Sequence, residues 1–379
     1  MRSDSSRVGL VLAAIFAASA INSAYLPLWF ADHGLSAADI GAVLGAASLL
    51  RVVGGPGGGW VADRIGRRRA VLAAAAVLAT AAAILLPALH GVGQFLLAAA
   101  ALGMASALLA PLLDAVTLAL AGAGRLDYGR TRAWGSVSYM LATAGGGALL
   151  AQGGSGLVPG LLAAGYAGAA LFAMRLPDVE AGPRRSGGIR GLFRDRAFVL
   201  ALVASALIQG SHAAYYSFAA LHWRAAGIGD STIGLLVAEG IVAEIALFVW
   251  GRDLVRRLGA ARLTAIAAIA CIVRWTALAF VTDVPLLALL QPLHAATFAF
   301  QHLSTMLVLA RIPPQRAGMA QTLMSAIGFS AATASLVWLT GQLYGSWHGL
   351  AFLPMAATGA AALLTVRPLM RAMVRPHHA

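Results

Sequence analysis

Apolar runs of about twenty residues, each able to cross some 30 Å of hydrocarbon as a helix, recur along the chain between short polar segments. They predict twelve spans. Six lie near Val8 to Phe30, Asp39 to Ala62, Ala70 to Leu89, Gln94 to Ala121, Arg132 to Ala151 and Leu157 to Met174. Six more lie near Ala197 to Leu221, Thr232 to Trp250, Arg262 to Val281, Pro285 to Ala310, Ala317 to Thr340 and Trp347 to Val366. Backbone polar groups in lipid must be satisfied within the segment, and the alternation of a barrel is absent, so these runs are read as helices.

The polar segments orient the spans. With the amino terminus inside, Arg2 and Arg7, Arg64 to Arg69, Arg125 to Arg132, Arg175 to Arg196, Arg252 to Arg262, Arg311 and Arg316, and Arg367 to Arg375 all fall on one side. Arg224 falls on the other, and Arg51 and Arg274 lie within spans. By the positive-inside rule both termini are cytoplasmic. The longest polar interruption, Arg175 to Arg196, contains Pro177, Gly182, Pro183, Gly187 and Gly188 and reads as a linker. The expected organisation is an all-α membrane protein: a six-helix bundle over 1–174, a cytoplasmic linker over 175–196 and a second six-helix bundle over 197–379. The halves echo one another, since Asp63 follows the second span and Asp253, trailed by Arg256, Arg257 and Gly259, follows the eighth. Such a repeat predicts pseudo-two-fold symmetry with a cavity between the repeats.

Composition agrees with lipid as the solvent. Of 379 residues, 60% are hydrophobic and 11% charged, whereas soluble domains average about a quarter charged. The net charge of +13 comes with no basic stripe interleaved with aromatics, so nucleic acid is not expected as a partner. All 27 basic residues are arginine. Cys271 is the single cysteine, which excludes an internal disulfide and a cysteine metal site. No cleavable signal peptide is read at the amino terminus, because the first apolar run is long enough to span and is followed by more spans. No tight set of metal ligands and no clustered nucleophile is visible, so neither a metal nor an enzymatic activity is expected. No segment is long enough for a soluble signalling domain.

An ionised side chain at the bilayer centre costs about 2.5–3.5 kcal/mol on insertion scales, so each one is a functional candidate. Five occur here: Arg51, Asp114, Glu239, Glu244 and Arg274. Arg51 precedes Asp63 by twelve residues, about 18 Å along a helix, and is deep. Glu244 and Arg274 sit midway along the eighth and ninth spans, where antiparallel neighbours can bring Arg274 to Glu244 or to the histidines of the tenth. Asp114 follows Pro111 in the fourth span, with Arg51 or Arg132 as possible partners. In the tenth span Gln291, His294, Phe298 and Gln301 or His302 recur at helical spacing on one face. Gln209, His212, Tyr215 and Tyr216 repeat the pattern in the seventh. These stripes are expected to line the cavity.

The stretch Gly59-x-x-x-Asp63-Arg64-x-Gly66-Arg67-Arg68-Arg69, placed between the second and third spans, resembles the signature of major facilitator superfamily transporters. Further blocks resemble its phenylpropionate permease branch, related to lactose permease. They are Pro111-Leu112-Leu113-Asp114-Ala115, Asp127-Tyr128-Gly129-Arg130-x-Arg132-x-Trp134-Gly135-Ser136, Gly210-Ser211-His212-Ala213-Ala214-Tyr215-Tyr216-Ser217-Phe218, Trp223-Arg224-Ala225-Ala226-Gly227, Val242-Ala243-Glu244, Val273-Arg274-Trp275 and Leu290-Gln291-x-Leu293-His294. The resemblance implies alternating access, with Asp63 latching the cytoplasmic side and Arg64, Gly66, Arg67 and Arg132 as further gating candidates. It also implies proton-coupled uptake of a small aromatic acid such as 3-phenylpropionate across a bacterial inner membrane. Arg274 or Arg51 is then the carboxylate anchor, Tyr215, Tyr216, Phe298 and Trp275 an apolar wall, and Glu244, His294 or Asp114 the proton carrier. The proton is the coupling ion and no cofactor is implied. The expected partners are the solute and the lipid bilayer, and a monomer suffices because one chain holds both halves. A proton-antiport exporter of drugs or metabolites and a sugar or nucleoside symporter are the alternatives. Replacing Asp63 by Asn is expected to weaken the closed cytoplasmic gate and lower the transport rate measured in vesicles; an undiminished rate contradicts the latch.

Overall fold

A computed structural model describes residues 2–177 and 189–374, apart from the side chains at 2, 3, 55, 56, 58–60, 63, 189, 252 and 314. The Asp63 carboxylate and most of the linker thus lie outside the described residues. Among the described residues there is no strand. The first unit carries α1 (Arg2–Ala24), α2 (Leu26–Asp32), α3 (Ala37–Ile65), α4 (Arg68–Leu85), α5 (Gly91–Gly122), α6 (Tyr128–Gly153) and α7 (Val158–Ala173). There follow α8 (Ile189–Arg194), α9 (Arg196–Gly210), α10 (His212–Ala214), α11 (Ala220–Ala225), α12 (Asp230–Trp250), α13 (Arg252–Phe280), α14 (Val284–Leu290), α15 (Phe300–Leu309), α16 (Pro314–Ser325), α17 (Ala332–Trp347) and α18 (Leu353–Val374). Wide π turns at Tyr215–Ala219, Ala295–Ala299 and Ala326–Ala331 join α10 to α11, close the gap before α15, and join α16 to α17.

Ten described stretches are long and apolar enough to cross a membrane, and one of them, Gln315–Val374, is 60 residues long and holds both α16–α17 and α18. With α6, which is less apolar, the twelve expected spans are present. Their ends are set by local chemistry. Ser36 and Asp39 form a reciprocal capping box, Asp39 N donating to Ser36 Oγ at 3.2 Å and Ser36 N to the Asp39 carboxylate at 3.1 Å. Asp127 accepts from Arg130 N at 2.7 Å and starts α6 at Tyr128, ahead of the expected Arg132. Gly66 closes α3 in the left-handed conformation, φ 68°, which a residue with a Cβ avoids. Gly259 has φ 69° at the corresponding turn of the second half, so α13 begins at Arg252 and breaks there rather than starting at Arg262.

One further expectation is corrected, and the end of the expected linker carries the short helix α8. The last span is Leu353–Val374 rather than Trp347 to Val366: α17 runs on to Trp347, His348 breaks it at φ 47°, and Arg367 and Arg371 lie within the final helix. Long cationic side chains reach the interface from inside a span, so an arginine does not mark its end.

The chain forms two compact units, Met1–Pro183 with Gly227–Ala238, and Arg184–Ala226 with Glu239–Ala379. In the first, α1 packs on α6 and α7, α3 on α5, and α4 on α5 and α7. Lipid offers helices no hydrophobic drive to associate, so close packing of small residues does that work. At Gly103 a Cβ would stand 2.5 Å from the Ala47 carbonyl of α3, and at Gly54 one would meet Met104 and Ala107 of α5. Gly57, from the same glycine-rich run, faces open space, so close approach explains only part of that run. In the second unit α13 packs on α18 and α15, and α9 on α18. Gly103→Leu should cost about 1–3 kcal/mol by overpacking, read as a lower thermal midpoint in detergent. Gly145→Ala, where nothing lies within 4 Å, should leave the midpoint unchanged or raise it.

Candidate functional site

The polar stripes of the seventh and tenth spans meet within the second unit, and α12 and α13 add one charge each. Arg274 of α13 is fully buried at 0% exposure. Its Nη1 donates to His294 Nδ1 at 3.1 Å and to Thr297 Oγ1 at 3.1 Å, while His294 Nε2 lies 3.3 Å from Glu244 Oε2. Guanidinium nitrogens only donate. His294 Nδ1 must therefore accept, which leaves the proton on Nε2 and directs it at the Glu244 carboxylate. The line Glu244, His294, Arg274 then reads anion, neutral ring, cation, and sums to zero. Arg274 also lies over the faces of Tyr215 and Trp275, its Cζ 4.4 and 4.7 Å from their ring centroids, and its Nε and Nη2 are buried without a hydrogen-bond partner.

Local sequence explains this placement. Gly240 and Glu244 are four residues apart on one face of α12. A Cβ at Gly240 would come within 3.1 Å of His294 Cβ, so the glycine admits the tenth span and the next turn presents Glu244 to the imidazole. Pro292 interrupts the tenth span between α14 and the π turn at Ala295–Ala299. The seventh span breaks at Ser211 and widens at Tyr215–Ala219. Wide turns of this kind occur mostly as single insertions and often at functional sites.

Around the line, the other expected residues join one network. His212 Nδ1 faces the Ile208 carbonyl at 3.1 Å, which can only accept, and Nε2 lies 3.0 Å from Thr297 Oγ1, whose single proton also faces the His294 carbonyl at 3.1 Å. Tyr215 donates to Gln291 Oε1 at 2.9 Å, and Gln209 Nε2 donates to the Phe298 carbonyl at 3.2 Å. His294 stacks on Phe298, interplanar angle 11°, and the Tyr216 ring stacks on His212. Trp275 Nε1 donates to Ser211 Oγ at 2.9 Å. Arg274 thus meets His294, not Glu244 directly. Thr297 links Arg274 to His212 and was missed from sequence, although it lies three residues after His294 and so shares its face.

In the first unit Asp114 pairs with Arg132, 3.8 Å, and Arg132 lies over the Phe16 ring at 4.4 Å. Arg64 and Arg67 are exposed on either side of the Gly66 turn. Arg51, midway along α3, pairs with no described carboxylate, and its Nε is buried without a hydrogen-bond partner. Among the described residues there is no group of three or more His, Cys, Asp or Glu able to hold a metal ion.

Thr297→Val keeps the shape and removes the hydroxyl, leaving His212 Nε2 unsatisfied. It should cost about 1–3 kcal/mol in thermal unfolding, with Thr297→Ser close to wild type.

Comparison with known proteins agrees with this architecture. Residues 7–353 match the MFS_1 like family. The probable 3-phenylpropionic acid transporter of Escherichia coli strain K12 is 30% identical over 328 residues, covering 84% of this chain and 85% of that one. Among solved structures, a mutant form of the nucleoside transporter NupG superposes with a TM-score of 0.83 at 16% identity, covering 96% of this chain and 99% of that one. The D-xylose-proton symporter superposes with a TM-score of 0.71 at 19% identity, covering 95% of each chain. At these identities the two structures speak for the fold alone. The chain therefore belongs to the MFS_1 like family, and is a multi-pass membrane transporter of major facilitator fold rather than an enzyme.

Proposed function

We propose that this transporter takes up a small aromatic carboxylate, of the 3-phenylpropionate kind, together with a proton. It would do so by alternating access in a bacterial inner membrane, as a monomer with cytoplasmic termini. The substrate class rests on the relative that is 30% identical and carries that name. The observation that carries the coupling is the line from Glu244 through His294 to Arg274. With Glu244 ionised the line is neutral. A proton taken up by Glu244 adds one net positive charge to the low-dielectric interior, and such a charge is costly unless an anion enters that interior with it. A proton and a carboxylate therefore favour each other's binding, which is the condition for symport. Arg274, already engaged by His294 and Thr297, keeps Nδ1 of the imidazole an acceptor and so keeps Nε2–H facing Glu244. Tyr215, Tyr216 and Phe298 supply rings for an aromatic solute.

One observation favours a second reading, a sugar or nucleoside as solute. The buried carboxamide oxygens of Gln209 and Gln301 have no hydrogen-bond partner among the described residues, and a carboxylate offers them no proton. A hydroxyl or ring N–H does. Uptake of labelled 3-phenylpropionate, xylose and uridine in right-side-out vesicles separates the two readings.

Glu244→Gln should retain substrate exchange at close to the wild-type rate and lose accumulation against a gradient under an imposed pH difference. Undiminished uphill uptake in that variant removes Glu244 from the coupling.

A further inference from the structure

Each unit contains one deep guanidinium, and the two are not equivalent. Arg274 has 0% exposure, lies over two ring faces and has two acceptors on Nη1, although its Nε and Nη2 find no hydrogen-bond partner. Arg51 is partly exposed, makes no ion pair with a described carboxylate, and its buried Nε has no partner. Its titratable neighbours are Tyr166 on α7 and Tyr139 on α6. Tyr166 is 1% exposed, and the Tyr139 hydroxyl shares a hydrogen bond of 2.5 Å with Ser23 Oγ of α1.

We propose that Arg51, with Tyr139 and Tyr166, is an anion site of the first unit that takes the carboxylate of the transported acid. This rests on the function proposed above and chooses Arg51 over Arg274 as anchor. The guanidinium presents parallel N–H donors that match a carboxylate edge, and the phenols add neutral O–H donors that bring no competing charge. One cation among neutral phenols balances a single negative charge, so a monocarboxylate suits the site and a doubly charged phosphate leaves one charge unmatched. Leaving a cation unpaired in the membrane is otherwise unfavourable. Arg274, covered by rings and committed to His294, is left to the proton side of the cycle.

The experiment is calorimetric titration of detergent-purified protein with benzoate, 3-phenylpropionate and the neutral 3-phenylpropionamide, for wild type, Arg51→Gln, Arg51→Lys and Tyr166→Phe. Wild type should bind the carboxylates at least about tenfold more tightly than the amide, equivalent to about 1.4 kcal/mol. Arg51→Gln should abolish that preference, and Arg51→Lys and Tyr166→Phe should keep part of it. Since no ion pair is lost, ligand-free Arg51→Gln should unfold at or above the wild-type midpoint. Three results overturn the site: a wild-type preference retained in Arg51→Gln, no carboxylate binding by wild type, or a ligand-free midpoint that Arg51→Gln lowers and Arg51→Lys restores. Arg51-dependent binding of benzoate without uptake of 3-phenylpropionate supports the site and removes the proposed substrate. Arg51-independent binding of 3-phenylpropionate, with uphill uptake intact, removes the site and leaves the proposed function standing.

Discussion

A guanidinium that cannot lose its charge and cannot accept a hydrogen bond dictates the polar interior of the second unit. Placed at 0% exposure on α13, Arg274 requires acceptors and electron-rich faces from every neighbour. Nη1 obtains its acceptors from His294 and Thr297 and the guanidinium its faces from Tyr215 and Trp275, while Nε and Nη2 have no hydrogen-bond partner among the described residues. Each of those neighbours is constrained in turn. The imidazole is held in one tautomer and presents its remaining N–H to Glu244, Thr297 stands between the guanidinium and His212, and Tyr215 reaches Gln291. The network is thus oriented outward from the one group with no freedom of role.

The scaffold that delivers these groups works with a different currency, the closeness of backbones. Where lipid offers helices nothing to escape from, glycines such as Gly103 in the first unit and Gly240 in the second let axes approach until side chains can meet. At Gly240 that approach is directly tied to chemistry, since the turn that follows carries Glu244.

Much of this was legible in the residues alone. The spans are governed by a solvent that tolerates only helices, so hydropathy sufficed for the helical architecture. The charges Glu244 and Arg274 and the stripes through Gln209, His212, Gln291 and His294 stood out because polar groups are expensive there. What stayed hidden depended on partners or on backbone geometry. Thr297 is ordinary by composition, and its role is visible only once Arg274 and His212 flank it. Arg51 and Asp114 looked alike, both charged and both deep, yet Asp114 has Arg132 beside it and Arg51 has no described acid. The end of the last span was misplaced because Arg367 resembled a boundary while its stem lay inside the helix.

The wide turns alter how this chain must be compared with others. Each accommodates one residue more than an ordinary turn, so the halves of the tenth helix on either side of 295–299 stand about 100° out of their usual phase. A protein whose sequence lacks a single residue in that interval and runs through it as plain α-helix keeps both halves in the phase seen here, whereas one of equal length without the wide turn swings Gln301 by about 100° relative to Gln291. Within this fold, a one-residue gap in an alignment at that place marks a wide turn traded for a plain one and leaves the faces on either side matched.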